Sequence, residues 1–372
     1  MPDDITITML AVGDICVDRD DPDSMFTNVA PTIRKADIAF CQLESVYSQK
    51  GTSWRFPLRS DPRNAPSIQR AGFRVVSFAG NRSMDWGPEA MLDTIEIVRK
   101  TGVEVFGAGK DIDEARKPSI VECKGARIAF LSYTSVLTVG YWADVNKPGC
   151  APMRALTFYE EVEPDQPGNP PRIHSFANKG DKAALIDDIK KAKSQADLVF
   201  VSTHWGLHFQ EAEIAEYQKE YAYAAIDAGA DAILGHHPHI LKAIEIYRGK
   251  PILYSMGNFA FELHIPDSIL YSARWRDFMR LNPNWFDDPK YRSYPFPVNS
   301  RKSMIAKIAI SNKKIQRLSF CPVTINEHCE PRILAPAEAE YTAVFRYMEE
   351  ITKSQGMNTR YSVEGDEVVV TA

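Results

Sequence analysis

A chain of 372 residues with 44% hydrophobic and 25% charged residues is long enough to bury a large core, and no apolar run in it approaches membrane-spanning length. Its formal net charge of −5 is small for that length, so no global field recruits nucleic acid. The acidic start at Asp3 and Asp4 lacks the basic flank of a secretion signal, which predicts a cytoplasmic protein with neither a membrane nor a nucleic acid as partner.

In chain order, β-branched and apolar runs predict strands over 5–14, 36–44, 74–81, 103–108 and 126–133, with a helix over 88–101 opened by Pro88. A helix over 181–195, a strand over 197–205, a helix over 213–228 and strands over 231–235 and 251–259 continue the alternation. Such alternation is the mark of an α/β chain. Two segments interrupt it: 140–178, rich in Pro, Gly and acidic groups, and 262–300, rich in aromatics, Pro and Arg. Long stretches of this kind inside a domain are lids or binding loops, or else disordered. A hairpin over 303–311 and 314–325 and a helix near 337–353 complete a single domain spanning 1–354, followed by a C-terminal tail at 355–372. Cys16, Cys41, Cys123, Cys150, Cys321 and Cys329 form no CxxC pair, so they read as buried thiols rather than as disulfides or a thiolate zinc site.

The ends of the strands carry the chemistry. Apolar runs finish in Asp14, Glu44, Asn81, His204, the GHHPH stretch at 235–239, and Asn258. In α/β sheets the carboxyl ends of the strands form the ligand crevice, so these groups are expected to converge. Five of the eight histidines fall in two short stretches, His204 with His208 and His236 with His237 and His239, whereas His174, His264 and His328 stand alone and read as structural. Imidazole, carboxylate and one amide oxygen together suit one or two divalent ions of manganese, iron or zinc, and two such ions would clamp the attacking and leaving oxygens of a hydrolysis.

The ordered motifs GD at 13–14, QLES at 42–45, VVSFAGNRSMDWG at 75–87, STHWG at 202–206, GHHPH at 235–239 and YSMGNF at 254–259 resemble those of the bacterial capsule-synthesis CapA/PgsA family, a branch of the calcineurin-like metallophosphoesterases. The likeness spans roughly residues 5–262. It implies a four-layer α-β-β-α sandwich with a metal centre at the strand ends, and it carries the metal-ligand role onto Asp14, Glu44, Asn81, His204, His237 and His239. Relatives serving capsule export carry a membrane anchor that is not seen here, which argues against a role in making surface polyglutamate.

Two departures shape the functional expectation. Gly80-Asn81-Arg82 stands where the family pattern has Asn-Asn-His, and a guanidinium does not release its proton, so Arg82 fits an oxyanion or substrate anion rather than general-acid chemistry. Ile15 and Cys16 follow Asp14 where phosphoesterases carry x-His, and Cys16 reads as a packed thiol. The expected protein is a metal-dependent hydrolase of a small anionic or carboxylate-bearing substrate, leaning to an amide or γ-glutamyl-type bond over a phosphoester. The alternative is a non-catalytic protein that holds an anionic polymer such as poly-γ-glutamate. Arg82 and His208 are the expected catalytic groups, with Asp85 orienting Arg82 or His236. Asn258, Arg274 and Arg276 are expected at the substrate, the two arginines on a segment whose Trp and Phe side chains suit the body of a small ligand.

Overall fold

The computed structural model of the chain describes residues 6–53, 58–282, 285 and 288–372. Two mixed sheets dominate. The larger runs, edge to edge, through Arg360–Glu364, Glu367–Thr371, Lys314–Ile325, Lys302–Ser311, Ile7–Cys16, Ile38–Leu43, Val75–Ser77 and Glu104–Phe106. Two further strands join it off this path, Asn258–Phe261 beside Ile7–Cys16 and Pro331–Ile333 beside Lys314–Ile325. The smaller runs through Ile244–Tyr247, Lys250–Leu253, Ala232–His236, Leu198–His204, Ala126–Thr134 and Ser119–Cys123.

Side chains alternate across each strand, so each sheet feeds two cores. Met9, Ala11, Ile38, Phe40 and Val75 of the larger sheet meet Ile128, Phe130, Leu198, Phe200 and Leu234 of the smaller in one buried cluster. The Phe40 and Phe130 rings stack across it, 6.2 Å apart and inclined by 4°. The opposite faces are covered by helices. Leu10, Val12, Ala39, Cys41 and Val76 pack with Ile33, Ile68, Met91 and Ile95, whereas Leu131, Val199, Val201 and Ile233 pack with Leu185, Ile189, Tyr221 and Ala225. Each fully buried Leu, Ile or Phe of these layers contributes about 1.5–3 kcal/mol. The result is an α/β sandwich.

Helix ends follow local chemistry. Asn178 caps Lys179–Lys193 by accepting from the Asp181 amide at 3.1 Å, and Glu216–Ala228 stops at Gly229, whose φ of 118° lies in the left-handed region. Among the described residues no helix is long and apolar enough to cross a membrane.

The structure differs from the sequence expectation in several places. The expected strand over 103–108 divides into Glu104–Phe106 and Ala108–Gly109 at Gly107, which has φ of 92°. The expected strand over 251–259 is two strands in different sheets, Lys250–Leu253 and Asn258–Phe261, separated by a crossing that contains Gly257 with φ of 68°. The segment 140–178 contains a hairpin, Ala155–Glu160 with Arg172–Ala177. The expected tail at 355–372 is a hairpin on the edge of the larger sheet, where Val368 and Val370 turn into the core between the sheets.

Candidate metal centre

Asp14 lies near the end of Ile7–Cys16, Glu44 directly after Ile38–Leu43, and Asn81 just beyond Val75–Ser77, so the larger sheet delivers two carboxylates and an amide to one end. His204 ends Leu198–His204 and His236 ends Ala232–His236, so the smaller sheet delivers imidazoles to the same end. The glycines of the GD and GH pairs have steric reasons. A Cβ on Gly13 would lie 1.9 Å from the Gly257 oxygen, and one on Gly235 would lie 2.3 Å from the Tyr254 oxygen. Both glycines admit the crossing segment 254–257, and Asp14 is fixed to it by its amide, which donates to the Gly257 oxygen at 3.0 Å.

Asp14, Glu44 and His204 each offer a ligand atom within 4.8 Å of the other two, and all three side chains are buried. Around them, His236 Nδ1 lies 3.1 Å from Asp14 Oδ1, and His239 Nε2 lies 3.5 Å from Glu44 Oε1. His204 Nε2 and Asn81 Oδ1 are 2.9 Å apart, a separation open to a hydrogen bond or to neighbouring ligands of one ion. The His237 ring is centred 4.9 Å from His204 and 3.9 Å from His208. His237 and His239 have φ of 96° and 58°, a strained region for non-glycine residues that the surrounding fold must hold.

One relay of hydrogen bonds sets a tautomer. The Ser300 carbonyl can only accept, so the Tyr294 hydroxyl donates to it at 2.5 Å and accepts from Asn258 Nδ2 at 2.9 Å. Asn258 Oδ1 then accepts from His239 Nδ1–H at 2.7 Å, which leaves the Nε2 lone pair on the side of Glu44. Tyr294 and Ser300 are not expected from the sequence, where a lone Tyr in an aromatic segment gives no signal of this role.

Burial dominates the electrostatics. It drives Glu44 well above the ordinary carboxylate range, with the nearby Asp14 charge adding to the effect. Burial also acts to raise Asp14, but the hydrogen bond and charge of His236, followed by the charges of His204 and His239, bring it below its ordinary value. Burial pushes His204 down to about 3 and lowers both His237 and His239, so these rings offer neutral lone pairs at neutral pH. Cys16, raised to about 12 by burial, is a packed thiol.

The donor set fits a divalent ion. Among the described residues, neither Glu44 oxygen, nor His204 Nδ1, nor His237 Nδ1 has a hydrogen-bond partner, although all are buried. Buried polar atoms left in this state are costly unless another group satisfies them, and carboxylates with neutral imidazoles do so for a transition-metal ion.

The other expected site residues lie at varied distances from this cluster. Arg82 and His208 line an adjoining cavity of about 480 Å³ together with Glu44, Asn81 and His239. Asp85 is buried and accepts from Arg82 at 3.1 Å. His236 is fully buried against Phe40, their rings 5.6 Å apart. Arg274 lines the cavity, whereas Arg276 donates to the Tyr271 carbonyl at 3.0 Å, and Asn258 is engaged with His239 and Tyr294.

Comparison with known proteins identifies the family. The PGA biosynthesis protein CapA of Bacillus subtilis is 32% identical over 245 residues, covering 64% of this chain and 57% of that protein. The capsule biosynthesis protein CapA of Bacillus anthracis is 29% identical over 292 residues, covering 73% of this chain and 64% of its own length. A Mycobacterium tuberculosis protein named "Probable polyglutamine synthesis accessory protein" is 28% identical over 232 residues, covering 60% and 55%. This chain therefore spans less than two thirds of the length of each of these relatives. The family described as bacterial capsule synthesis protein PGA_cap matches residues 8–263, a span that takes in every motif from Gly13 to Phe259, and the chain belongs to that family.

Proposed function

We propose that this chain is a metal-dependent hydrolase of a small carboxylate-bearing substrate, cleaving an amide or γ-glutamyl-type bond in the cytoplasm. The carrying observation is the buried Asp14, Glu44 and His204 cluster, its Glu44 oxygens without a hydrogen-bond partner among the described residues, at a cavity also lined by Arg82 and His208. The face-to-face sheets with helices on their outer faces support assigning the fold to the four-layer metallophosphoesterase class.

Asp14, Glu44 and His204, with Asn81, His237 and His239, would hold one or two ions. Manganese, iron or zinc bound there would lower the pKa of water and polarise the scissile carbonyl or phosphoryl group. Arg82 supplies N–H donors for the charge that develops on a carbonyl oxygen, and Asp85 fixes its guanidinium. His208, on the cavity wall, would carry a proton to or from the leaving group. A guanidinium at position 82 favours carbonyl addition, which needs an oxyanion partner, over a phosphomonoester reaction that relies on a general acid there.

A second reading, that the cleft binds an anionic polymer without cleaving it, draws support from the capsule-biosynthesis and accessory names of the relatives. Elemental analysis of protein grown with manganese, iron or zinc, followed by turnover of γ-glutamyl amides and phosphoesters, separates the two. The hydrolase reading expects bound metal and turnover, both reduced in Glu44→Ala and His204→Ala with the fold retained. Bound metal without turnover on any of these substrates favours the polymer-binding reading, and absence of metal under every growth condition overturns the hydrolase reading and leaves the histidines as binding or structural groups.

A further inference from the structure

The cavity beside the candidate metal centre has an aromatic wall. Phe209, Phe261, Trp275, Phe278, Trp285 and Phe296 line it, while Glu44, Arg82 and Arg274 supply the formal charges among its described lining residues. Much of the wall comes from the inserted segment. In the helix Ala273–Leu281, Trp275, Phe278 and Met279 share one face at i, i+3 and i+4 and pack towards the core, while Arg274, Arg276 and Arg280 are exposed. Ser272 caps this helix by accepting from the Trp275 amide at 3.1 Å.

The aromatic surface is continuous with the site. The Trp285 ring stands edge-on to Phe209 at 5.0 Å and to Phe278 at 5.1 Å. Phe209 and Phe296 in turn lie 5.8 and 5.0 Å from the ring of His239. Phe209 is held there by its amide, which donates to the Pro238 carbonyl at 3.1 Å, within the histidine stretch itself. A ligand reaching Glu44 and His239 through this cavity lies along apolar rings. A strand of repeated carboxylates would lose hydration along that wall without gaining partners, whereas one anionic head with an apolar body matches both the wall and the two arginines.

We propose that the substrate is an amphiphile: a carboxylate-bearing amide whose apolar acyl or aryl group occupies the pocket formed by Phe209, Trp275, Phe278, Trp285 and Phe296. This rests on the hydrolase reading for the bond that is cleaved, but not for the pocket. The test is calorimetric binding of N-acyl-L-glutamates, from acetyl to octanoyl, to the full-length protein, with hydrolysis of the same compounds measured in parallel. Affinity is expected to rise about fourfold per added methylene until the pocket is filled. Trp275→Ala should flatten that gradient, and Leu281→Ala, exposed on the same helix and outside the cavity, should leave it unchanged. A steep gradient without hydrolysis supports the pocket and counts against the hydrolase. Hydrolysis of these compounds with neither affinity nor rate depending on chain length supports the hydrolase and overturns the pocket. A gradient that persists unchanged in Trp275→Ala and Trp285→Ala also overturns it.

Discussion

Replacing Glu44 by Gln separates the cost of gathering these carboxylates from their value to a metal. The side chain is buried, neither oxygen has a hydrogen-bond partner among the described residues, and a ligand atom of Asp14 lies within 4.8 Å. Two carboxylate charges at that separation repel by about 3 kcal/mol at an effective dielectric constant of about 20. Glu44 escapes part of this by holding its proton, consistent with its raised pKa, so removing the charge should stabilise the metal-free protein by about 1–3 kcal/mol. At about 2 °C per kcal/mol, the metal-free Tm of Glu44→Gln rises by about 2–6 °C. With metal the order of effects reverses. An ion at about 100 times its Kd stabilises the native chain by about 2.7 kcal/mol, and a variant bound about 100-fold more weakly gains only about 0.4 kcal/mol. Thermal unfolding of both proteins after chelation, and again with added manganese or zinc, measures both arms. A lower metal-free Tm for Glu44→Gln, together with equal metal-induced shifts in the two proteins, would refute the reasoning.

Tyr294→Phe removes the donor to Ser300 that orients Asn258 and hence His239, and it should weaken metal binding about 10- to 100-fold in a competition assay while the fold persists. Gly13→Ala forces a Cβ to 1.9 Å from the Gly257 oxygen and should destabilise the protein by about 3 kcal/mol or more in urea unfolding. Lys242 is buried and its ammonium is lowered from 10.5 to about 8 by burial, against the opposing charges of Glu213 and Glu211. Its folded pKa lies below the unfolded value, so the unfolded chain binds more protons between these limits and stability rises with pH there. Relative to Lys242→Met, the native chain should therefore gain up to about 3 kcal/mol between pH 8 and 10.5, read from urea midpoints.

Strand ends carry most of the legible information. Asp14, Glu44, Asn81 and the histidines of 204 and 236–239 stand out because a polar group closing an apolar run has few reasons to be there, and the structure gathers them at one end of both sheets. Less can be read where a residue acts through its neighbours. Tyr294 takes its role only from the placement of Asn258 and Ser300 in three dimensions, and no local pattern announces it. The division of 251–259 depends on Gly257 adopting a left-handed φ, whereas the apolar pattern on either side is continuous. The C-terminal hairpin escapes a local reading because its burial comes from pairing with Lys314–Ile325, a contact between distant residues.

The order of strands also governs when the candidate metal centre can assemble during synthesis. All six strands of the smaller sheet come from residues 119–253, nested between two portions of the larger sheet. Asp14 sits on a strand flanked on one side by Ile38–Leu43 and on the other by Lys302–Ser311 and Asn258–Phe261. The carboxylates leave the ribosome first, the imidazoles follow, and the two strands on the second side of Asp14, Asn258–Phe261 and Lys302–Ser311, come later still. The candidate site is thus complete only when the chain returns to the sheet in which it began.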